Sequence, residues 1–120
     1  MCHRLRAEEE RLAGFAEWLR EQGVPEEEAK IDFDNADAWR WSIAGAPGAA
    51  TELDLRRFLY DTYVRKTDPA PEAVRALPRS MRRVVRWLEE REGVRYPFAA
   101  GVLDELERIA ARAREMDEPL

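Results

Sequence analysis

The sequence predicts an all-α protein, an orthogonal or irregular bundle of four longer helices and two or three short ones. Three observations carry this prediction. Apolar residues recur at helical spacing in several segments, and no segment shows the apolar–polar alternation of a strand. Arg, Glu, Ala and Leu, all good helix formers, dominate the composition. The periodic segments are bounded by helix punctuation, with proline or a capping residue at the start and glycine at the end.

The chain has 120 residues, enough for one domain around one hydrophobic core. Charged residues make up 38% of it, and the formal net charge is −5. Four Trp, four Phe and three Tyr supply the large apolar groups that a packed core requires. We therefore expect a single helical domain over residues 1–120, with frayed ends at 1–4 and 117–120.

The first helix is predicted from about Arg4 to Gln22. Its apolar residues fall on one stripe at helical spacing, and Gly23 supplies the left-handed residue that commonly ends a helix. A second, short helix is predicted from Pro25 to about Phe33. Proline suits the first helical position, and the three glutamates that follow suit the positive end of the helix dipole.

Trp39 and Trp41 are predicted on a further short helix, which Asn35 or Asp37 would cap. Residues two positions apart point to different sides of a helix, so one Trp is expected in the core and the other partly exposed. The glycines and the proline of residues 45–50 predict a loop.

The third main helix is predicted to begin at Thr51 and to end at about Arg65. Thr51 and Asp54 form a near capping box, with Asp in place of the usual Glu. The residues on its two sides are Leu55, Phe58, Leu59, Thr62 and Tyr63 on one, and Leu53, Tyr60 and Val64 on the other. A helix with apolar groups on two sides is usually covered on both, so we expect this helix at the centre of the bundle.

A two-turn helix is predicted from Pro71 to Leu77, and the fourth main helix from Pro78 to Glu92. The break is expected because proline pushes the residue before it out of the helical region. One side of the fourth helix is apolar and comprises Met81, Val84, Val85 and Leu88, with Trp87 at its boundary. The opposite side, called here the arginine face, comprises Arg79, Arg82, Arg83 and Arg86. Gly93 is expected to end this helix.

The last helix is predicted to open at Pro97 and to end before Pro119. Its spacing predicts a long apolar stripe. The stripe comprises Phe98, Val102, Leu103, Leu106, Ile109, Ala110, Ala113 and Met116.

The arginine face is the candidate contact surface for an anion or a nucleic acid. Residues 65–95 carry nine basic and five acidic groups in an otherwise acidic chain. Arginines along one side of a helix can track a phosphate backbone or bind an acidic partner. The alternative is a solvated face in which Arg86 pairs with Glu89 or Glu90. The net charge of −5 weighs against nucleic acid as the partner.

The sequence does not match the common catalytic and metal-binding patterns. Its only histidine, His3, has no evident second group to place it as a base, and Cys2 beside it gains no further zinc ligands downstream. Asp32, Asp34 and Asp37 fail the calcium-loop pattern, which would require glycine at position 37. We therefore predict no enzymatic activity, no metal and no cofactor.

Four tryptophans are a large aromatic content for so small a core, and they are candidate interface residues: Trp18, Trp39, Trp41 and Trp87. Exposed aromatic side chains are enriched at protein interfaces. The leading hypothesis is a small non-enzymatic protein that acts through protein–protein contact, with a protein partner or as a homodimer. The alternative hypothesis is a nucleic-acid-binding module that uses the arginine face.

A single cysteine allows no intramolecular disulfide and indicates a reducing compartment. No apolar run approaches the ~18 residues of a membrane span. The N-terminal residues also lack the apolar core of a secretory signal. We therefore expect a soluble protein of the cytoplasm.

Two resemblances rest on motifs between Ala38 and Val94. The first joins Trp39-Arg-Trp41, the Leu-rich segment 51–59, Arg65-Lys66 and the helix after Leu77-Pro78. This order resembles a helical region of uncharacterised bacterial proteins, which implies a fold and a bacterial origin but no activity. The helix order and the phrase Arg-Arg-Val-Val-Arg-Trp-Leu at 82–88 are also similar to the N-terminal core-binding domain of tyrosine recombinases. That resemblance implies a DNA-clamping helical domain without the recombinase catalytic domain.

Overall fold

The computed structural model describes residues 2–43 and 47–117, with side chains described for residues 12–43 and 48–112. Every regular element of this part of the chain is helical, which confirms the all-α class. The helices are α1 (Cys2–Glu21), α2 (Glu26–Ser42), α3 (Glu52–Arg57), α4 (Tyr63–Thr67), α5 (Pro71–Arg91) and α6 (Ala99–Asp117). A 3-10 turn spans Pro47–Ala49, and a π-helical turn, Phe58–Thr62, joins α3 to α4.

α1 ends as the sequence predicts. Gly23 has a φ of +76°, in the left-handed region. The N–H of Gly23 donates to the carbonyl of Arg20 at 3.0 Å, and the N–H of Val24 donates to that of Leu19 at 3.1 Å. These two bonds form a Schellman motif, which satisfies carbonyls at the helix end. Residues 2–4 lie within α1 and residue 117 lies within α6, so the predicted frayed ends are helical at these positions. The other residues of the predicted ends, 1 and 118–120, lie outside the described part.

α2 is one continuous helix, so the predicted break after Phe33 is wrong. Three glutamates fill its first turn, as predicted, and Pro25 precedes that turn. The residues that suggested a break and a new cap, among them Asn35, lie inside the helix instead. The buried residues of α2 recur at helical spacing: Asp32, Asn35, Ala36 and Trp39. Polar residues thus occupy positions of the core-facing stripe, because they form hydrogen bonds with side chains of the neighbouring helices.

The segment 52–67 begins with the predicted capping box. Asp54 N–H donates to Thr51 Oγ1 at 3.2 Å, and Thr51 N–H donates to Asp54 Oδ2 at 2.9 Å. The helix widens into the π turn and ends at Asp68, which has a left-handed φ of +44°. Its inner side is buried as predicted and comprises Leu55, Phe58, Leu59 and Tyr63.

α5 runs through Pro78 without interruption, so the predicted break at Leu77 is wrong. Proline inside a helix lacks the N–H that would bond to the carbonyl of Val74, and its ring crowds that carbonyl. Leu77 and Pro78 are nevertheless both buried. The contacts of this turn with the core therefore offset the local cost. Gly93, with a φ of +67°, follows the end of α5 as predicted.

Among the residues of α6 whose side chains are described, the buried ones lie in its first half. Ala99, Val102 and Leu103 are buried, whereas Ile109 is 49% exposed. The predicted apolar stripe thus continues beyond the buried residues of α6 to Ile109, which is exposed. Ala113 and Met116, the last members of that stripe, lie outside the residues whose side chains are described.

α2 and α5 form the centre of the bundle as an antiparallel pair. Glu28 lies beside Arg83, and farther along α2, Asn35 donates to the carbonyl of Ala73. α1 packs on both helices, the 52–67 segment packs on α2, and α6 packs on α5 and α3. The prediction that the third main helix is central is therefore wrong. Its inner side meets the core, and its other side is left uncovered by the described residues.

Candidate functional site

The arginine face lies between α2 and α6, and two of its four members are held by α2. The Nη2 and Nε atoms of Arg79 donate to Asp32 Oδ1 at 3.1 and 3.3 Å. Arg83 Nη1 donates to Asp32 Oδ2 at 2.5 Å and to Glu28 Oε1 at 3.2 Å. Arg79 also approaches Glu28, with an N···O distance of 3.6 Å. Two carboxylates of α2 thus engage both guanidinium groups.

The other two members of the arginine face are also paired. Arg82 donates to Asp104 Oδ1 at 2.5 Å and to Glu107 Oε1 at 3.0 Å, both on α6. Arg86 donates to Glu90 Oε1 at 3.0 Å, as predicted for the solvated alternative. Its guanidinium carbon also lies 5.9 Å from the ring centroid of Trp18.

Charge pairing dominates the electrostatics of this face. Hydrogen bonds to Glu107 and then Asp104 raise the pKa of Arg82. Burial lowers the pKa of Arg83, but its bonds to Asp32 and Glu28 outweigh burial and raise it overall. The pKa of Glu90 is lowered, first by a hydrogen bond from Trp18 and then by Arg86. A phosphate group could approach these arginines only in competition with carboxylates already in place.

A buried polar network lies behind the arginine face, between α2 and α5. The Tyr63 hydroxyl donates to Asn35 Oδ1 at 2.6 Å, and Asn35 Nδ2 donates to Ser80 Oγ at 3.0 Å. The Ser80 hydroxyl in turn donates to Asp32 Oδ1 at 2.6 Å. Burial, with a smaller effect of Asp34, raises the pKa of Tyr63 to about 12. Asp32, Asn35 and Ser80 are each at most 1% exposed.

The buried network is saturated by its own hydrogen bonds. Asp32 accepts from Ser80 and from two guanidinium groups, so its oxygens are occupied. The Ser80 hydroxyl donates to Asp32, so its proton is held within the network. The network therefore sets the register between α2 and α5. Sequence reasoning missed it because the predicted break after Phe33 separated Asp32 from Asn35.

Three of the four tryptophans proposed as interface residues belong to the core. Trp18, Trp39 and Trp87 are each at most 7% exposed. Trp87 packs 5.4 Å from Phe15, measured between ring centroids. Trp41 is 65% exposed, which confirms that one member of the Trp39–Trp41 pair is buried and the other is not. As an interface candidate, Trp41 alone of the four remains.

The uncovered side of the 52–67 segment carries three of the six exposed large apolar side chains of the described residues. We call it the outer face. Its apolar members are Leu53, Tyr60 and Val64, which are 61%, 43% and 58% exposed. Burial and then Glu105 raise the pKa of Tyr60, so α6 lies close to one edge of the outer face. Arg56 marks the same edge, because its guanidinium donates to Glu105 at 2.6 Å.

The outer face also carries exposed charges at helical spacing. Asp61 accepts from Arg65 Nη2 at 3.1 Å, one turn later. Arg57 is exposed and makes no ion pair within the described part of the chain. The π turn adds width to the helix at the middle of this face, and π turns are frequent at functional sites. The outer face is thus an apolar stripe flanked by Arg57, Asp61 and Arg65, for which no ion pair with a described residue outside the segment 52–67 is found.

A groove of about 700 Å³ lies between α1 and α2. Its apolar lining includes Ala16, Val24 and Phe33, and its charged residues, among them Arg20 and Lys30, are exposed.

No His, Cys, Asp or Glu cluster suited to a metal ion occurs among the described residues. Within residues 2–43 and 47–117, no helix combines the length and apolar character needed to cross a bilayer.

Comparison with protein-family models, curated protein sequences and solved structures found no match to this chain. Both sequence resemblances therefore stay predictions. Among the described residues, the arginine face is paired with carboxylates, whereas the apolar residues of the outer face are exposed.

Proposed function

We propose that the protein is non-enzymatic and acts by protein–protein contact through the outer face. One observation carries the proposal. Of the six exposed large apolar side chains among residues 12–43 and 48–112, three lie on this one side of a segment of sixteen residues, 52–67. Single exposed apolar residues are ordinary, whereas several on one side of one segment are typical of an interaction surface. The mixture of Leu, Tyr and Val with flanking arginines is typical of an interface core and its rim.

The alternative, a nucleic-acid-binding module, is less well supported by the geometry. Each member of the arginine face already contacts at least one carboxylate: Glu28, Asp32, Glu90, Asp104 or Glu107. Binding a phosphate backbone would require these contacts to open, and the acidic partners would then repel the phosphates. The net charge of −5 adds to this cost. A cytoplasmic location is proposed with the main function, supported by the single cysteine.

Protection of the outer face in cells tests the proposal without a known partner. The two matched variants are Val64→Cys, on the outer face, and Val74→Cys, on α5, both in a Cys2→Ser background. Val64 and Val74 are 58% and 41% exposed, so both thiols should react with a maleimide in dilute purified protein. In cells of the source organism, we expect position 64 to react several-fold more slowly and position 74 to react at the rate of the purified protein. Equal reactivity at both positions in cells contradicts the proposal.

A further inference from the structure

We propose that the occupant of the outer face is a second copy of this chain, bound by antiparallel pairing of the two 52–67 segments about a two-fold axis. The inference rests on the proposed function, because it uses the outer face as a contact surface, and it adds the identity of the partner. Isologous two-fold dimers are the commonest symmetric assemblies, and they require a surface that complements itself. The outer face meets that requirement.

The order of residues along the outer face is self-complementary about its midpoint. The two-fold axis would cross the outer face at the level of Phe58 and Leu59, which point to the inner side. Residues that are equally distant in sequence from this level then come opposite each other in the two copies. Leu53 of one copy then meets Val64 of the other, and the contact is repeated by symmetry. Both residues are more than half exposed in the single chain, so each of the two symmetry-related contacts removes apolar surface from water.

The charges next to the axis select the antiparallel arrangement. Arg57 of one copy comes beside Tyr60 and Asp61 of the other, where a guanidinium can bond a carboxylate and stack on a ring. A parallel arrangement in the same register would place Arg57 against Arg57 and Asp61 against Asp61. Arg57 makes no ion pair within the described chain, and the Asp61–Arg65 pair is solvent-exposed on both sides. Both groups are therefore available for contacts between copies at little cost.

The size of the outer face predicts a weak, reversible dimer. A segment of sixteen helical residues is ~24 Å long, and one helix pair buries less than the ~1,600 Å² of a standard interface. The chain also packs its core without the partner, since Leu55, Phe58, Leu59 and Tyr63 are buried in the single copy. Dimer formation should therefore depend on concentration and leave the fold of each copy unchanged.

The first test is sedimentation velocity of the full chain from micromolar to millimolar concentration. The wild type should shift reversibly from monomer to dimer. Val64→Glu should weaken association by about tenfold or more, because a carboxylate would be buried opposite Leu53. Val74→Glu, the matched change on α5, should leave association within about twofold of wild type. A wild type that stays monomeric throughout, or equal effects of the two variants, overturns the inference.

A charge exchange tests the antiparallel register. Arg57→Glu places two acids near each other across the axis, and Asp61→Arg places two bases there, so each single variant should weaken the dimer. The double variant restores opposite charges and should recover most of the wild-type association. A double variant as weak as the single variants overturns the register. Circular dichroism of each variant checks that the helices are intact.

The two sets of experiments separate this inference from the proposed function. A purified protein that stays monomeric while position 64 is protected in cells means that a different protein covers the outer face. That result overturns the second copy as occupant and leaves the proposed function standing. If position 64 is not protected in cells and the purified protein stays monomeric, both the inference and the proposed function are overturned.

Discussion

Removing the buried carboxylate of Asp32 should destabilise the fold more than any other single change to a charged group of α2. Asp32 is fully buried, and its oxygens accept hydrogen bonds from Arg79, Ser80 and Arg83. The change to examine is Asp32→Ala. Its matched control is Asp34→Ala, two residues later on the same helix, where the carboxylate is exposed.

The magnitude follows from the groups that lose their partner. The Ser80 hydroxyl would be buried without an acceptor, which costs ~1–3 kcal/mol. Arg79 and Arg83 would keep Glu28, and their side chains are 37% and 26% exposed, so water would solvate part of each charge. The charge contribution therefore falls below the ~3–5 kcal/mol typical of a broken, fully buried pair. We expect a total loss of about 3 kcal/mol, or about 12 °C in Tm at ~4 °C per kcal/mol.

Urea unfolding followed by tryptophan fluorescence measures the effect, since three tryptophans lie in the core. Asp34→Ala should change the free energy of unfolding by no more than ~0.5 kcal/mol. Ser80→Ala combined with Asp32→Ala should cost less than the sum of the single changes, because both remove one hydrogen bond. If Asp32→Ala costs no more than Asp34→Ala, the assignment of Asp32 as the tie between α2 and α5 is refuted.

Three further outcomes are expected. Burial raises the pKa of Tyr63 and of Tyr96 to about 12, so the folded protein holds these protons more tightly than the unfolded chain does. The stability that these two tyrosines contribute is fully present below pH ~10 and is lost as the pH rises from ~10 to ~12, by ~1.4 kcal/mol per pH unit for each group. Urea unfolding at several pH values, measured together with tyrosinate absorbance, should show this loss. Trp39→Ala should cost ~3–5 kcal/mol and Trp41→Ala no more than ~0.5, with iodide quenching abolished only by the second change. The fluorescence anisotropy of a labelled random DNA duplex should not change when the protein is added at low salt, because the arginine face is already paired. Tight binding that is lost when all four members of the arginine face are changed to Ala would contradict this expectation.

The helices themselves could be predicted from the sequence because their signals are local. Gly23 and Gly93 adopt the left-handed conformation that ends α1 and α5, and the capping box of Thr51 and Asp54 forms as its spacing indicates. The breaks predicted before Pro78 and after Phe33 failed because burial of the surrounding turn outweighs local preference. Propensity and proline rules describe a chain in water, and they give way where the same turn packs against a neighbouring helix.

The site was harder to predict because it depends on which helices become neighbours. The arginine face was recognised as a cluster on one side of a helix, but four of its five acidic partners lie on two other helices, α2 and α6. Asp32 is 47 residues from Arg79, and Asp104 is 22 residues from Arg82. The apolar residues of the outer face were also recognised. Their exposure could not be inferred, because a two-sided apolar helix is equally compatible with burial at the centre of a bundle and with a partner outside it.

The contrast between the two arginine-bearing surfaces supports the proposal that the outer face is the contact site. On α5, each arginine of the arginine face faces an acid supplied by this chain, so the charges stabilise contacts between helices or within one. Arg57, on the outer face, has no such acid within the described chain and lies next to an uncovered apolar stripe. A charge without a partner at the edge of an apolar patch is free to pair with an opposite charge on a second surface, which adds specificity to the contact. The sequence of the outer face supplies that complement itself, since Asp61 and Val64 lie as far beyond its midpoint as Arg57 and Leu53 lie before it, to within one residue.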